Sequence, residues 1–463
     1  MHNRTQPVLW SDFGELCDAC GRLAFSPNSC AVEAILAGRS QNARDAPSRS
    51  VTGRHSMSVC CSTPQAGVSA PDPDLAAMDV AGFAADIEAL RRSAYATISH
   101  ADYLHMRRVE RRGRLAALVG YLTAWLFPNP FTAVALSLGQ STRWLLAHHI
   151  THRGYDRIPG IPARYTSRGF ARGWRRFVDW FDWILPKAWD YEHNTLHHAY
   201  TGEDTDPDVV ERHVEFLRAL RVPRAVKYAF LTLLSLTWKF TYYAPRTMSV
   251  LDPHTMRRRS SDHVLRASIG NVLDLRSPTV RALWARCYLP YAGFHFLLVP
   301  CLFLPLGTTA AFYVLLNKLL AECITNVHSF LVIAPNHTAD DLYRFDFHYH
   351  GRQEFYATQV LSSANYHCGT ELVDYMSLWL NYQIEHHLFS DLPMSKYREI
   401  QPVVKSLCER HGLPYRQESI FKRFARMTDV AVGKTSGRRL DRLPAWSRCS
   451  APMFTAGVGL AER

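Results

Sequence analysis

The sequence predicts an all-α integral membrane protein, in which two transmembrane helical hairpins, four spans in total, carry a cytoplasmic helical cap. Three features lead to this prediction: two apolar blocks that are each broken by a proline-containing turn, arginine-rich flanks, and three histidine-rich clusters beside apolar segments. Clusters that lie far apart in the chain can serve one metal centre only if the fold gathers them on one side of the bilayer. The cap is therefore expected to hold a histidine-rich metal site.

The two hairpins are predicted at about 113–147 and about 285–334, with turns at Pro128 and Pro130 in the first and at Pro305 in the second. Proline ends helices, so each block indicates two helices joined by a tight turn. Both turns lack charge, whereas arginine is abundant at the opposite ends. The positive-inside rule then places the turns outside and the rest in the cytoplasm. The first helix is shorter than the roughly 20 apolar residues a bilayer needs, so snorkelling or local thinning is expected there.

The segments around the hairpins complete the predicted domain organisation. Residues 1–80 are rich in Ser, Ala, Pro, Asn and Arg and lack periodicity, so a disordered extension is expected. The membrane domain is predicted over 81–425, followed by a flexible tail over 426–463. A third apolar stretch, about 226–243, contains two lysines. If it crossed the bilayer, the third histidine cluster would lie opposite the first two, so an interfacial helix with its lysines at the polar edge is predicted.

The charge pattern favours a bilayer over nucleic acid as the partner. The formal net charge is +12 over 463 residues, and Arg and Lys crowd the flanks of the apolar segments. Such flanks face anionic lipid, and the chain contains no nucleic-acid-binding module. The eleven cysteines are scattered and do not form a disulfide framework, as expected in a reducing compartment.

The three clusters contain side chains three or four residues apart, a spacing that places them on one face of a helix. His328 is added because a polar group late in the fourth predicted span is costly unless it serves a site. The predicted metal-site residues are His148, His152, His193, His197, His198, His328, Gln383, His386 and His387. Ordinary hydrogen-bonded roles are expected for His263, His295, His337, His348, His350, His367 and His411.

The number and type of ligands favour iron. Position 149 is His, so the general-base Glu of an HExxH zinc protease is missing, and zinc hydrolysis needs only about three protein ligands. Eight histidines are enough for two metals, and iron is the natural choice for oxygen chemistry with imidazole ligands. The repeated Glu-x-x-His pairs of soluble di-iron bundles do not occur in the sequence. The prediction is a site of two iron ions, with O2 as co-substrate.

The clusters resemble the three histidine boxes of the membrane fatty acid desaturase family. They read HxxxH from His148, HxxxHH from His193 and QxxHH from Gln383. The third box and the Asp-Leu-Pro sequence soon after it are similar to those of the front-end, delta-6-like desaturases, in which Gln replaces the first His. The resemblance covers about 110–425, and Ser390 stands where the family usually has Pro.

This resemblance implies an oxygen-dependent enzyme that inserts a cis double bond into an acyl chain carried by a lipid or by coenzyme A. Front-end desaturases often carry a fused cytochrome b5 domain with an HPGG motif, which this chain lacks. Electrons are therefore expected from a separate donor, a ferredoxin or a cytochrome b5 with its reductase. A basic cluster could steer an acidic donor or contact anionic lipid, and both interpretations stay open. The cluster comprises Arg164, Arg168, Arg172, Arg175 and Arg176.

The reacting carbons of an acyl chain carry no polar handle, so an apolar tunnel is expected to hold the chain by position alone. The candidate tunnel walls are Trp144, Tyr191, Tyr366, Trp379 and Tyr382. These aromatic residues could equally be ordinary core or interface residues. Asp204, Asp206 and Asp208 are expected to be partners of the ligands or surface carboxylates rather than ligands.

Two alternative functions are kept. The spacing of the second box also resembles that of the alkane hydroxylases, so a membrane di-iron hydroxylase is the first alternative, although Gln383 argues against it. A non-catalytic membrane scaffold would explain the hairpins but would leave the histidines without a role.

Overall fold

The computed structural model describes residue 75 and residues 77–251 and 271–443. Nearly all of the predicted N-terminal extension and the end of the predicted tail lie outside the described residues. Within them the protein is mostly helical and contains one small parallel sheet, which confirms the all-α class. The sheet pairs β1 (Tyr343–Phe345) with β2 (Arg438–Leu440).

The helices are numbered in chain order. They are α1 (Val80–Ala96), α2 (His100–Thr123), α3 (Pro130–Thr151), α4 (Arg176–Asp179), α5 (Pro186–Trp189), α6 (His198–Tyr200), α7 (Val210–His213), α8 (Glu215–Ala219), α9 (Arg224–Trp238), α10 (Ala244–Ser249), α11 (Pro278–Leu283), α12 (Leu289–Ala292), α13 (Val299–Cys301), α14 (Thr308–Ile333), α15 (Gly351–Leu361), α16 (Glu371–Ser377), α17 (Gln383–Leu388), α18 (Met394–Arg410) and α19 (Ile420–Ala431). Wider π-helical turns connect several of them, at Asp190–His197, Lys239–Tyr243, Trp284–Tyr288 and Gly293–Leu298. Short 3-10 turns lie at Ala163–Tyr165, Gly173–Arg175, Asn271–Leu273, Leu304–Leu306 and Ala334–Asn336.

Helices α2 and α3 form the first predicted hairpin. Asn129 caps α3 by accepting from the backbone N–H of Thr132 at 2.9 Å, and Pro130 occupies the first helical turn, where no intrahelical donor is needed. The two helices approach closely at small residues, since a Cβ on Gly139 would lie 2.6 Å from that of Ala117. The loop between them is fixed to α14 by Asn317, whose amide nitrogen donates to the Ala124 carbonyl at 2.9 Å.

The second predicted hairpin supplies the two candidate membrane spans found among the described residues. The α11–α13 region runs as one helical stretch over Pro278–Leu306, and α14 continues to Asn336, so that each stretch has 29 residues. Both are long and apolar enough to cross a membrane, whereas α2 and α3 do not meet the same criterion. The outer face of α2 nevertheless exposes Leu115, Leu118 and Leu122. Two candidate spans are thus found, and the four-span topology stays a prediction.

The third apolar stretch forms α9, a π turn and α10, and its two lysines lie elsewhere than expected. Lys227 and Lys239 are buried rather than at a polar edge. The ammonium group of Lys227 donates to the Arg218 carbonyl at 2.8 Å, and that of Lys239 lies 2.6 Å from the Asp182 carboxylate. A buried ammonium group needs such acceptors. The hydropathy pattern of the sequence does not predict which segments supply them.

The predicted tail from residue 426 begins too early. Helix α19 continues through Ala431, and β2 then pairs with a strand that lies some 95 residues earlier in the chain. Arg426 is anchored to Asp340 at 2.6 Å. The region up to residue 443 therefore belongs to the folded cap, because ion pairs and strand pairing hold it in place.

Candidate metal centre

The three histidine clusters reach one buried region from three segments of the chain. His148 lies in the last turn of α3 and His152 caps its C-terminus, while His386 lies on α17. The second cluster lies on the π turn Asp190–His197, where the backbone N–H of His198 bonds to the carbonyl of His193. Such wide turns are rare in proteins overall, and those that occur are often found at functional sites. The π turn directs His193, and the pair His197 and His198 after it, toward the other two clusters.

These histidines form two adjacent groups, each defined by ring nitrogens that all lie within 4.8 Å of one another. The first histidine group consists of His148, His152, His193 and His386. The second histidine group consists of His197, His337 and His387. His198 lies between the groups, with its ring centroid 4.4 Å from that of His152 and 4.3 Å from that of His387.

The nitrogen atoms are set up for coordination rather than for hydrogen bonding. Among the described residues, Nε2 of His152, Nε2 of His198 and both ring nitrogens of His193 are buried and have no hydrogen-bond partner. Buried polar atoms in native proteins nearly always have one, so these lone pairs fit a metal ion. Within the first group, Nε2 of His148 lies 2.9 Å from Nε2 of His386. The donor set therefore fits the imidazole-ligated metal that the sequence predicts.

Protonation is consistent with this role. Burial lowers the pKa of His193 to about 4, and burial together with neighbouring histidines holds the pKa of His152 well below its usual value. Both imidazoles are therefore neutral near pH 7, as a metal ligand must be. Burial would also lower the pKa of His197, but the adjacent Asp206 carboxylate raises it. The Asp206 carboxylate thus distinguishes His197 from His193 and His152.

The second group is held by hydrogen bonds on its outer nitrogens. Nδ1 of His197 lies 2.9 Å from Asp206, and Nδ1 of His387 lies 2.8 Å from the side-chain oxygen of Gln359. Nδ1 of His337 donates to a backbone carbonyl, that of Ser362, at 3.1 Å. Each contact fixes the ring and turns its Nε2 inward.

The structure does not bring His328 to either group. Its Nδ1 lies 3.0 Å from the Ser141 hydroxyl, and its Nε2 lies 2.7 Å from the Met376 carbonyl. His337, expected to have an ordinary role, takes its place in the second group. It lies nine residues later, roughly 13 Å along a helix. The depth of a polar residue in an apolar segment did not show which of the two histidines reaches the site. Only the end of the helical stretch at Asn336 could have indicated that His337 does.

Gln383 and the aspartates occupy the surroundings of the second group. The Gln383 amide nitrogen lies 2.8 Å from Nε2 of His337. Asp208 lies 3.8 Å from Nδ1 of His193 and 3.7 Å from Nδ1 of His197, and these three residues could themselves hold a metal. Asp204 instead pairs with an arginine at the surface.

A groove follows the cleft between α2 and α3 beneath residues 164–182. Its outer part is lined by charged residues that include Glu110, Arg114 and Arg164. Its inner chamber has a volume of about 490 Å³, which includes open solvent at the mouth. Residues that line both parts are Ala117, Gly139 and Arg143. Residues that line the inner chamber alone include Gln140, Trp144, Trp180, Asp182, Tyr291 and His295.

Of the predicted tunnel walls, Trp144 lines this groove and the others do not. The hydroxyl of Tyr366 donates to the Leu331 carbonyl at 2.9 Å, and that of Tyr382 donates to Asp374 at 2.9 Å. Trp379 packs against His105, and Tyr191 is half-buried in the π turn of the second cluster. The position of an aromatic residue in the sequence does not determine which cavity its ring faces.

The basic cluster is largely paired within the chain. Arg164 hydrogen bonds to Glu110, Arg172 lies 3.1 Å from Asp190, and Arg175 forms two 2.9 Å hydrogen bonds with Asp179. The free positive charge on this face is therefore smaller than its composition indicates, which weakens both interpretations of the cluster.

The fold and the site define a class: helical proteins with apolar helices of membrane-spanning length and a buried polyhistidine centre fit for metal. The chain belongs to the fatty acid desaturase family, because the model of that family, "Fatty acid desaturase", matches residues 123–419. The enzyme is accordingly a fatty acid desaturase, an oxidoreductase of a membrane-associated family.

Relatives with described functions agree. The chain is 26% identical over 374 residues to the NADPH-dependent stearoyl-CoA 9-desaturase of Mycobacterium tuberculosis, covering 75% of this chain and 78% of the relative. It is 23% identical over 322 residues to the Delta(5) fatty acid desaturase A of Dictyostelium discoideum, covering 64% and 61%. A shorter match, 41% over 71 residues, covers 15% of the chain and 14% of a fatty acid desaturase 2-like protein of Mus musculus. These names do not favour the hydroxylase or the scaffold.

Proposed function

We propose that this enzyme is an oxygen-dependent acyl desaturase that uses two irons and inserts a cis double bond into an acyl chain. The observation that carries the proposal is the meeting of all three histidine boxes in two adjacent groups with unpartnered buried nitrogens. Two neighbouring imidazole sites suit a pair of irons, whereas a zinc hydrolase would need only one site of about three protein ligands.

The first histidine group would hold one iron and the second group the other, with His337 taking the role first assigned to His328. His198, between the groups, is available to either ion. When bound, the irons supply the activation of O2 and the oxidising power that removes two hydrogens from neighbouring methylenes. Gln383 lies against the second group, with its amide nitrogen 2.8 Å from Nε2 of His337.

The remaining residues bind, orient and exclude water. Asp206, Gln359 and the Ser362 carbonyl keep the rings of the second group in place. Burial keeps bulk water away from the groups, which limits side reactions of a strongly oxidising site. The acyl substrate, a lipid or an acyl-CoA, lies in the groove between α2 and α3, whose wall Trp144 is one helical turn from His148. Position along this groove determines which carbons react.

We place the enzyme in the bilayer as a multi-pass protein, with α2 and α3 as a second hairpin beside the two candidate spans and the site facing the cytoplasm. The exposed leucines of α2 support this arrangement, since they would face lipid. Electrons come from a separate donor, a ferredoxin or a cytochrome b5 with its reductase.

The direct test is lipid analysis after expression in a host without polyunsaturated lipids. Gas chromatography should reveal new cis-unsaturated acyl chains that depend on O2, and the purified enzyme should contain about two irons. Hydroxylated chains in place of unsaturated ones would assign the hydroxylase alternative. A single zinc without iron would exclude the proposed centre.

A further inference from the structure

A strained turn, here called the 376–379 turn, lies just before the third histidine box. Leu378 and Trp379 both have a left-handed backbone, with φ of 42° and 59°. They are the only consecutive non-glycine residues with positive φ among the residues that the structure describes. Bulky side chains disfavour this conformation, which persists only where the surrounding contacts enforce it. Because α17 begins at Gln383, four residues after Trp379, the turn limits where the third box can lie.

Two histidines that belong to neither histidine group bind the backbone of this turn. Nε2 of His149, near the end of α3, lies 2.6 Å from the Leu378 carbonyl. Nε2 of His328, on α14, lies 2.7 Å from the Met376 carbonyl. A carbonyl can only accept, so each Nε2 carries a proton and donates it. The turn therefore receives one donor from each of the two predicted hairpins.

The hydrogen bonds that the segment forms with itself close the turn but do not attach it to α3 or α14. The Trp379 N–H donates to the Asp374 carbonyl at 2.9 Å. The Asp374 carboxylate accepts from the Asn381 amide at 2.8 Å and from the Tyr382 hydroxyl at 2.9 Å. These partners all lie within nine residues of the chain, so a donor from another helix is needed to hold the turn's backbone in place.

Resting on the proposed function, we propose that His149 and His328 are positioning residues that hold the 376–379 turn against α3 and α14. Through the turn they place the third box at the metal centre. Neither ring needs to bind metal for this role. Nδ1 of His328 also lies 3.0 Å from the Ser141 hydroxyl, so both nitrogens of that ring are already engaged within the protein.

His149 provides the more direct of the two connections, because it connects the first box to the third. It follows His148 in the chain, and its bond to Leu378 joins the end of α3 to the segment that leads into α17. The same two segments meet again within the first histidine group, where Nε2 of His148 lies 2.9 Å from Nε2 of His386. Loss of the His149 bond should therefore loosen the approach of the third box without deleting a ligand.

Two other roles compete with this one. If either histidine were a ligand, its removal would lower the number of irons that the enzyme binds. If either only stabilised the fold, its removal would lower the unfolding temperature and would have no selective effect on iron binding. The number of irons, the iron affinity and the unfolding temperature are therefore measured separately.

The test compares His149→Leu with His149→Gln in the purified full-length enzyme in detergent, titrated with Fe2+ in the absence of oxygen. The Gln amide nitrogen can replace Nε2 as a donor, whereas Leu has no donor. His149→Leu should weaken Fe2+ binding about 2- to 10-fold, the range for one hydrogen bond, and should still saturate at about two irons. His149→Gln should restore most of the affinity. The same pair of substitutions at His328 should give a smaller loss, because that side chain is only half-buried.

Hydrogen exchange of the metal-free enzyme tests the turn itself. His149→Leu should speed exchange of the backbone amides in the 376–379 turn, because a turn that has lost an anchor opens more often. His411→Leu is the matched control, since His411 also engages both ring nitrogens, with Asp79 and Asp86. It should change neither the exchange of the turn nor the affinity for Fe2+.

The inference is overturned if His149→Leu changes neither Fe2+ affinity nor exchange, if His149→Gln loses as much affinity as His149→Leu, or if the iron content of either variant falls to one. Variants are compared at an unchanged unfolding temperature, and the two His328 variants decide if His149→Leu fails to fold. A wild type that binds no iron would instead contradict the proposed function, and the exchange rates would still show whether the two histidines hold the turn.

Discussion

The two histidine groups are neighbours, but they are supported differently. In the second group, Asp206, Gln359 and the Ser362 carbonyl each hold the outer nitrogen of one ring. In the first group, Nδ1 of His386 has a single neutral contact with Tyr397 at 3.1 Å, whereas His193 has no hydrogen-bond partner on either nitrogen among the described residues.

This difference indicates what orients the imidazole rings in each group. The second group is organised by protein hydrogen bonds, so its rings are oriented before a metal binds. The first group relies on the end of α3 and on the π turn to place its rings, and a bound ion would complete its order. Substitutions outside the ligand sets should therefore affect the second group more than the first.

The largest effect is expected on removing a ligand. His387→Ala should lower desaturation by more than the roughly 100-fold that loss of an outer partner gives, because a coordinating nitrogen itself is deleted. Gas chromatography of host lipids measures the product, and metal analysis measures the iron. His350→Ala, at an exposed position, is the control and should behave as wild type. Normal unsaturation in the His387 variant would remove the third box from the proposed centre.

A paired substitution tests the composition of the second group. His337→Ala should reduce the iron content from about two to about one per chain and abolish most activity, since one group loses a ligand. His328→Ala should keep both irons, because its ring is bound to Ser141 and the Met376 carbonyl. If the His328 variant lost iron and the His337 variant kept it, the assignment made from the structure would be reversed.

Sequence alone predicted the features that depend on local spacing. The helical hairpins follow from apolar runs and proline, and within α3 and α17 the spacings of three and four place the predicted histidines on one face of a helix. His337, the burial of Lys239 and the pairing of β2 with β1 depend on residues brought from distant segments. Periodicity does not encode such contacts, and it also did not reveal the π turn, which differs from an α-helix by one residue per hydrogen bond.

An intermediate effect is expected from an outer partner of the second group. Asp206→Asn keeps the side-chain shape but removes the charge that assists the bond to His197, so iron affinity should fall about 10- to 100-fold. Asp204→Asn is a close control, since Asp204 pairs with Arg344 at the surface. Titration of the metal-free enzyme with Fe2+ in the absence of oxygen measures both. Equal affinity in the two variants would mean that Asp206 does not orient the ring.

The smallest effect is expected in the first group. Tyr397→Phe removes the 3.1 Å contact with Nδ1 of His386, which involves no charged partner, so iron affinity should fall only about 2- to 10-fold. The same Fe2+ titration provides the measurement, and the unfolding temperature controls for the loss of a buried hydroxyl. A larger loss than that of Asp206→Asn would reverse the comparison, because it would make the first group the one that depends on its protein partners.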